Sequence, residues 1–223
     1  MSGSIWMIKY DVRAEHEERY LDWFHNVHMP EKLARPGYTW AAHYEVITSE
    51  GHPRSLLQGA AAREQRGFVA LFGGNDTRAF LNPSPAQIKP TQPPLTREMM
   101  SMRVGSSMLI AAEEWRMESE SGGAASFEFL TVSICDVADN DEDYGAWCIQ
   151  TLAPHWQSSV GFEAATKMLS ATNAAKHIAV ASFASLETLR ACENSMPDND
   201  WTERVQKYRQ LVAGGPLWLK RVA

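Results

Sequence analysis

A chain of 223 residues is long enough to bury a substantial core and to hold two small domains. Its makeup is that of an ordinary globular protein, 44% hydrophobic and 22% charged. The net charge of −6, with no run of Lys and Arg, argues against a nucleic-acid backbone or an anionic membrane surface as partner, and no apolar stretch approaches the roughly 18 residues of a bilayer span.

Residues 5–12 alternate, with Trp6, Ile8 and Tyr10 on one side and Met7, Lys9 and Asp11 on the other, which predicts a strand. Residues 14–28 set Tyr20, Trp23, Phe24 and Val27 at helical spacing behind Glu15, Glu17 and Glu18, whose charges suit a helix N-terminus. Pro30 and the Pro36-Gly37 pair predict a helix stop and a turn. Residues 39–47 alternate again, and a loop over 48–66 leads to a strand at 67–72. A short helix begins in 76–81, prolines from Pro83 to Pro94 predict an extended loop, helix resumes over 96–103, and 107–115 is a strand. The second half gives strands at 127–137, 163–171, 177–184 and 216–222, with helices at 141–152, 185–194 and 201–212. The stretch 119–126, SESGGAAS, reads as a linker. The division is one repeat over 1–117, a linker over 118–126 and a second, degenerate repeat over 127–223.

The two halves are copies. Without a gap, Glu18, Tyr20, Trp23, Pro30 and Gly37 meet Glu142, Tyr144, Trp147, Pro154 and Gly161. A self-match at so long a period means a duplicated domain. Each half reads βαββαβ, a ferredoxin-like unit, and each bare sheet face needs cover. Packing the two antiparallel sheets against each other gives an α+β barrel within one chain. Residues kept in both copies are scaffold, and a residue kept in one is a candidate for chemistry. His28 falls opposite Leu152.

At Trp23-Phe24-His25-Asn26-Val27-His28-Met29-Pro30-Glu31, then Pro36-Gly37-Tyr38 and the Ala41-Ala42-His43-Tyr44 strand, the chain resembles the EthD-like branch of the dimeric α+β barrel superfamily. The match covers about the first fifty residues and reaches the rest only as an architectural pattern. The resemblance implies a barrel with an internal pocket and a histidine near it. It does not imply a reaction, since the superfamily spans cofactor-free cyclases, isomerases of lactones and ring-fission products, and haem-degrading monooxygenases.

The candidate catalytic residues are His28, His43 and Tyr44. An imidazole moves protons near neutrality without a metal or cofactor, and the C-terminal end of a helix would favour its charged form at His28. The plainer role for His28 is a helix cap. His43 and Tyr44 point to opposite sheet faces, and alternation leaves open which faces the barrel; a solvated or edge position is the plainer account of His43. Lys9, Arg35 and Trp40 are candidates for substrate binding, with Lys9 placed to meet a carboxylate if its face lines the barrel. His25 and His28 have a spacing that can chelate a metal, but so short a pattern arises by chance and no metal is expected. Cys135, Cys148 and Cys192 lack ligand spacing and read as free thiols. With no basic, apolar leader at residues 1–10, a cytoplasmic protein is expected.

Three functions are compatible with these residues. The first is a cofactor-independent isomerase or cyclase acting on a small unsaturated acid, such as an aromatic ring-fission product or a polyketide-like compound. The second is a haem-binding or monooxygenase-type barrel. The third is a non-catalytic small-molecule-binding or stress-response protein. In each the partner is a small molecule, with a homodimer optional.

Overall fold

In the computed structural model, which describes residues 3–62, 64–120, 125–172, 175–212 and 215–223, the alternating segments form the expected strands. The strand β1 (Ser4–Arg13) lies antiparallel between β3 (Gln65–Gly74) and β4 (Arg103–Glu118), and β2 (Tyr38–Ile47) flanks β3. The second half repeats this order. There β5 (Phe129–Asp136) lies between β7 (His177–Phe183) and the final strand β9 (Leu217–Arg221), with β6 (Phe162–Ser170) flanking β7 and the two-residue β8 (Gln210–Leu211) on the end of β5.

The two sheets join twice, β2 to β9 at Tyr44–Arg221 and β4 to β6 at Ala111–Ser170. Eight strands thus close into one antiparallel barrel inside a single chain. Period-2 alternation sends one side-chain set inward and the other beneath the helices. Met7, Tyr44, Leu71 and Leu109 from the first half meet Leu130, Val132, Ile178 and Leu219 from the second inside the barrel. Trp6, Ile8 and Tyr10 pack outward under the first-half helices, with Trp23, Phe24 and Phe80. Tyr144, Trp147, Leu152 and Leu189 do the same in the second half.

The first helix does not stop at Pro30. Helix Glu17–Trp23 widens into a π-helical turn, Phe24–His28, and continues as Met29–Leu33. The Met29 N–H bonds the carbonyl of Phe24, five residues back. A proline has no N–H to give, and its ring collides with the carbonyl four residues back; the wide turn removes that collision. The second copy repeats the device, with a π-helical turn at Cys148–Leu152 ahead of Pro154 and helix Ala153–Ser158 beyond. His28 is therefore in mid-helix rather than at a terminus. Gly37 and Gly161, at φ of +86° and +75°, then make the matching turns into β2 and β6.

Two loops are anchored more firmly than their composition implies. The buried Asp11 carboxylate accepts the Ser55 hydroxyl and the backbone N–H groups of Leu56 and Leu57, pinning the loop before β3. The proline-rich stretch is not extended throughout: Ser84 and Gln87 cap a helical turn at Pro85–Ile88, followed by a 3-10 turn at Lys89–Thr91. Of the predicted linker, residues 121–124 lie outside the described residues. On its far side the backbone N–H groups of Ser126 and Phe127 bond the Glu163 carboxylate.

Candidate functional site

A cavity of about 380 Å³ lies outside the barrel, between the outer face of β1 and β4, the first helix and the capped proline loop. Trp6, Ile8, Met100 and Met108 give it apolar walls, and His28, Lys32, Arg103 and the exposed Lys89 bring in the ionisable groups. Lys32 follows His28 by one helical turn, so the π-helical turn that re-aims the helix carries both to the same wall. Arg103 is the first residue of β4.

His28 and Lys32 are buried and Arg103 is half-buried, and none of these three forms an ion pair among the described residues. His28 is 4% exposed and stacks on Trp23, ring centroids 4.7 Å apart. Its Nδ1 is sealed from solvent without a hydrogen-bond partner. Burial, then the charges of Lys32, Arg103 and Arg35, pull the His28 pKa down to about 2. His28 is thus neutral at physiological pH, against the charged state expected of a helix end. Lys32 is 5% exposed, with its ammonium 5.0 Å from the Trp6 ring centroid. Burial, Arg35 and Arg103 lower its pKa to about 8, against the opposing charge of Glu31.

Arg103 is held from behind by an aromatic network. Its Nε donates to the Tyr20 hydroxyl at 2.7 Å, and its guanidinium lies 4.1 Å from the Tyr10 ring centroid. Burial disfavours its charge, but the phenols of Tyr20 and Tyr10 outweigh that and raise its pKa. One guanidinium nitrogen, Nη2, is buried with no partner. The Tyr10 hydroxyl is 2.9 Å from His43 Nε2, and His43 Nδ1 is 2.8 Å from Nε2 of the half-buried His25. His43 is 0% exposed, which corrects the solvated or edge position. Burial, His25 and Arg103 push its pKa well down. A polar group does recur at this place: Lys167, opposite His43 in the duplication, is buried and paired with Glu114.

The sheet separates the remaining candidates from this cavity. Tyr44 faces the barrel interior, where its hydroxyl donates to the Phe127 carbonyl and burial raises its pKa to about 12. With Trp40, Leu130 and Arg221 it lines a cavity of about 240 Å³. Lys9 also points inward, into a cavity of about 210 Å³ with Met7, Leu109 and Ile134, and burial lowers its pKa. Arg35 does not line the cavity at His28, but its charge acts on both His28 and Lys32. His25 and His28 engage different neighbours, His43 and Trp23, so the pair does not share a site. Among the described residues no cluster of three or more His, Cys, Asp or Glu could hold a metal ion. The three cysteines are free and buried.

Sequence reasoning missed Lys32 and Arg103. The signal for Lys32 was present, because its partner in the duplication is Trp156, again an ionisable group against an apolar one. Nothing in the sequence marked Arg103.

This architecture defines an α+β barrel of two ferredoxin-like halves. No family model matches the chain, and no curated protein sequence matches it. Solved structures do. A candidate monooxygenase of Fusobacterium nucleatum subsp. nucleatum superposes with a TM-score of 0.62 at 10% identity, covering 100% of this chain and 94% of the other. An anthrone oxidase-like protein gives 0.59 at 12% identity, covering 100% and 92%. The chlorite dismutase of Candidatus Nitrospira defluvii, in complex with imidazole, gives 0.58 at 9% identity, covering 100% and 92%. At these identities the likeness establishes the shared fold. Among the described residues no helix is long and apolar enough to cross a membrane.

Proposed function

We propose that the chain is a cofactor-independent isomerase or cyclase of the EthD-like branch, acting on a small unsaturated acid in the cavity of the first half. The observation that carries this reading is the cavity wall itself: a neutral, unbonded His28 between Lys32 and Arg103, with Arg103 Nη2 lacking a partner. A buried donor without an acceptor costs about 1–3 kcal/mol, and a bound carboxylate would meet it. That carboxylate would also offset the cations that help hold His28 neutral. The proton affinity of His28 therefore rises when substrate is in place, and the imidazole becomes a working base in the complex. With Nδ1 sealed, Nε2 is the nitrogen that takes a proton from the substrate and returns it. Lys32, with a pKa near the operating range, is the partner acid, and the apolar walls keep the charges strong. His43, through Tyr10, positions Arg103. Lys9, Trp40 and Tyr44 belong to the barrel interior and have no part in this cavity.

A monooxygenase-type barrel fits the likeness to solved structures about as well, and oxygen uptake with an electron-rich aromatic acid would distinguish it. A haem iron does not suit these residues. An axial histidine holds its second nitrogen against an acceptor, whereas His28 Nδ1 has none and two cations stand beside it. A protein that binds its ligand without turnover is the third reading.

The test is a thermal-shift screen of wild type, His28→Ala and Arg103→Met against small unsaturated carboxylic acids, followed by turnover assays on the hits. Ligand at 100 times its Kd adds about 2.7 kcal/mol of stability. We expect hits that weaken in Arg103→Met and lose turnover in His28→Ala. Hits indifferent to both variants would refute the assignment, and binding that depends on Arg103 without turnover would leave the third reading.

A further inference from the structure

The second half keeps a cavity in the same place, with its polar groups redistributed. Tyr20 and Tyr144 correspond in the duplication, and they reach Tyr10 and Cys135 on the strands beneath. Trp6 and Ile8 on β1 therefore correspond to Thr131 and Ser133 on β5. His28 and Lys32 on the first helix correspond to Leu152 and Trp156. The strand of the second half is polar where that of the first is apolar, and its helix is apolar where that of the first is ionisable. Both arrangements surround a cavity, of about 250 Å³ in the second half.

Two further charged groups enter this cavity from the later helices: Glu193 from helix Leu186–Asn194, and Arg209 just after helix Asp200–Tyr208. Glu193 accepts a hydrogen bond from the Thr131 hydroxyl at 2.8 Å. Arg209 stands 5.7 Å from the Trp147 ring centroid, on the wall that Trp147 shares with Trp156. Glu193 and Arg209 line the same cavity yet form no ion pair among the described residues. Arg209 Nε and Ser133 Oγ are both buried without a hydrogen-bond partner. Burial, opposed by the Thr131 hydrogen bond and the charges of Arg209 and His155, raises the Glu193 pKa.

An acid and a guanidinium that line one small cavity without pairing, with Arg209 Nε unbonded, suit a ligand that carries both charges. We propose that this cavity is a binding site for a small zwitterion, a free α-amino acid, with its ammonium on Glu193 and its carboxylate on Arg209 and Ser133. The volume has room for about eight water-sized groups at roughly 30 Å³ each, the size of a short-chain amino acid. Trp147 and Trp156 would cover the carbon skeleton between the charged ends. This inference stands independently of the reading of the first-half cavity.

The test uses the full chain. A thermal-shift panel of the twenty protein amino acids is followed by calorimetric titration of the best hit, with lactate and ethanolamine as probes that each lack one charge. We expect a hit among the small amino acids, with both half-probes at least tenfold weaker. Glu193→Gln and Arg209→Met should each weaken the hit at least tenfold, while His28→Ala leaves it unchanged. A blank panel overturns the proposal, as does a hit that persists in both Glu193→Gln and Arg209→Met. Should either variant fail to fold, lactate or ethanolamine binding wild type as tightly as the amino acid overturns it equally.

Discussion

Replacing His28 with leucine, the residue its own duplicate carries, tests the electrostatics of the cavity without leaving a hole. His28 is held neutral in the folded protein, its pKa down from 6.5 to about 2. The unfolded chain takes up a proton below pH 6.5 and the folded chain does not, so this group destabilises the protein as pH falls through 6.5 and goes on doing so until about pH 2. Each full pH unit in that window costs about 1.4 kcal/mol, and integrating from neutral pH gives a loss of about 2 kcal/mol by pH 5. In His28→Leu that loss disappears. Urea unfolding at pH 8 and pH 5, extrapolated linearly, measures it directly. At pH 8 the two proteins should agree to within about 1.5 kcal/mol, because an apolar side chain of similar size replaces a neutral ring. At pH 5 the variant should be relatively more stable by about 2 kcal/mol, with no turnover. Identical pH dependence in both proteins would mean that His28 titrates normally, and the account of the cavity would fail.

Lys32, with its pKa lowered to about 8, is cationic below that pH and neutral above it, so carboxylate affinity should fall as pH rises through 8; calorimetric Kd values that stay flat from pH 6.5 to 9.5 would contradict this. His43→Phe removes the ring between Tyr10 and His25 and with it a buried hydrogen bond to the Tyr10 hydroxyl, which should cost about 1–3 kcal/mol in urea unfolding and weaken carboxylate binding through Arg103. A stability loss with unchanged binding would limit His43 to packing. Gly37→Ala and Gly161→Ala place a Cβ at positive φ, 2.9 Å from Ala79 and 2.8 Å from Thr188 respectively, and each should cost about 1–3 kcal/mol. Wild-type unfolding midpoints in either would show that the turns are not under the matched constraint described.

The fold was legible because the duplication placed scaffold against scaffold. Tyr20 and Tyr144, Trp23 and Trp147, Pro30 and Pro154, and Gly37 and Gly161 occupy the same stations in the two halves, and each pair marks something packing or backbone geometry demands. The site was legible only where that comparison was carried far enough. It singled out His28 against Leu152, and four residues on it would have singled out Lys32 against Trp156. Arg103 was invisible because its place depends on a strand pairing formed across more than ninety residues, not on local pattern. The prolines misled: ring and missing N–H normally end a helix, and no residue type announces that a five-residue turn has made room. Alternation divided each strand into two faces without naming the inner one, because both faces of this sheet are buried. That is why His43 and Tyr44 could not be assigned until the barrel closed.

A sheet that closes on itself leaves less backbone for a stranger than an open one. Each of the eight barrel strands has a neighbour on both sides over part or all of its length, the second-side pairing covering Tyr44–Ile47 of β2 and Ala111–Glu118 of β4. Unpaired edges are where strands of separate molecules add to one another, in domain swaps and in fibrils. Along the paired stretches, self-association would run through exposed side chains on helices and loops, such as Val160 and Ile149, rather than through extension of the sheet. Substitutions on that outer shell can tune assembly while the barrel that carries both cavities stays intact.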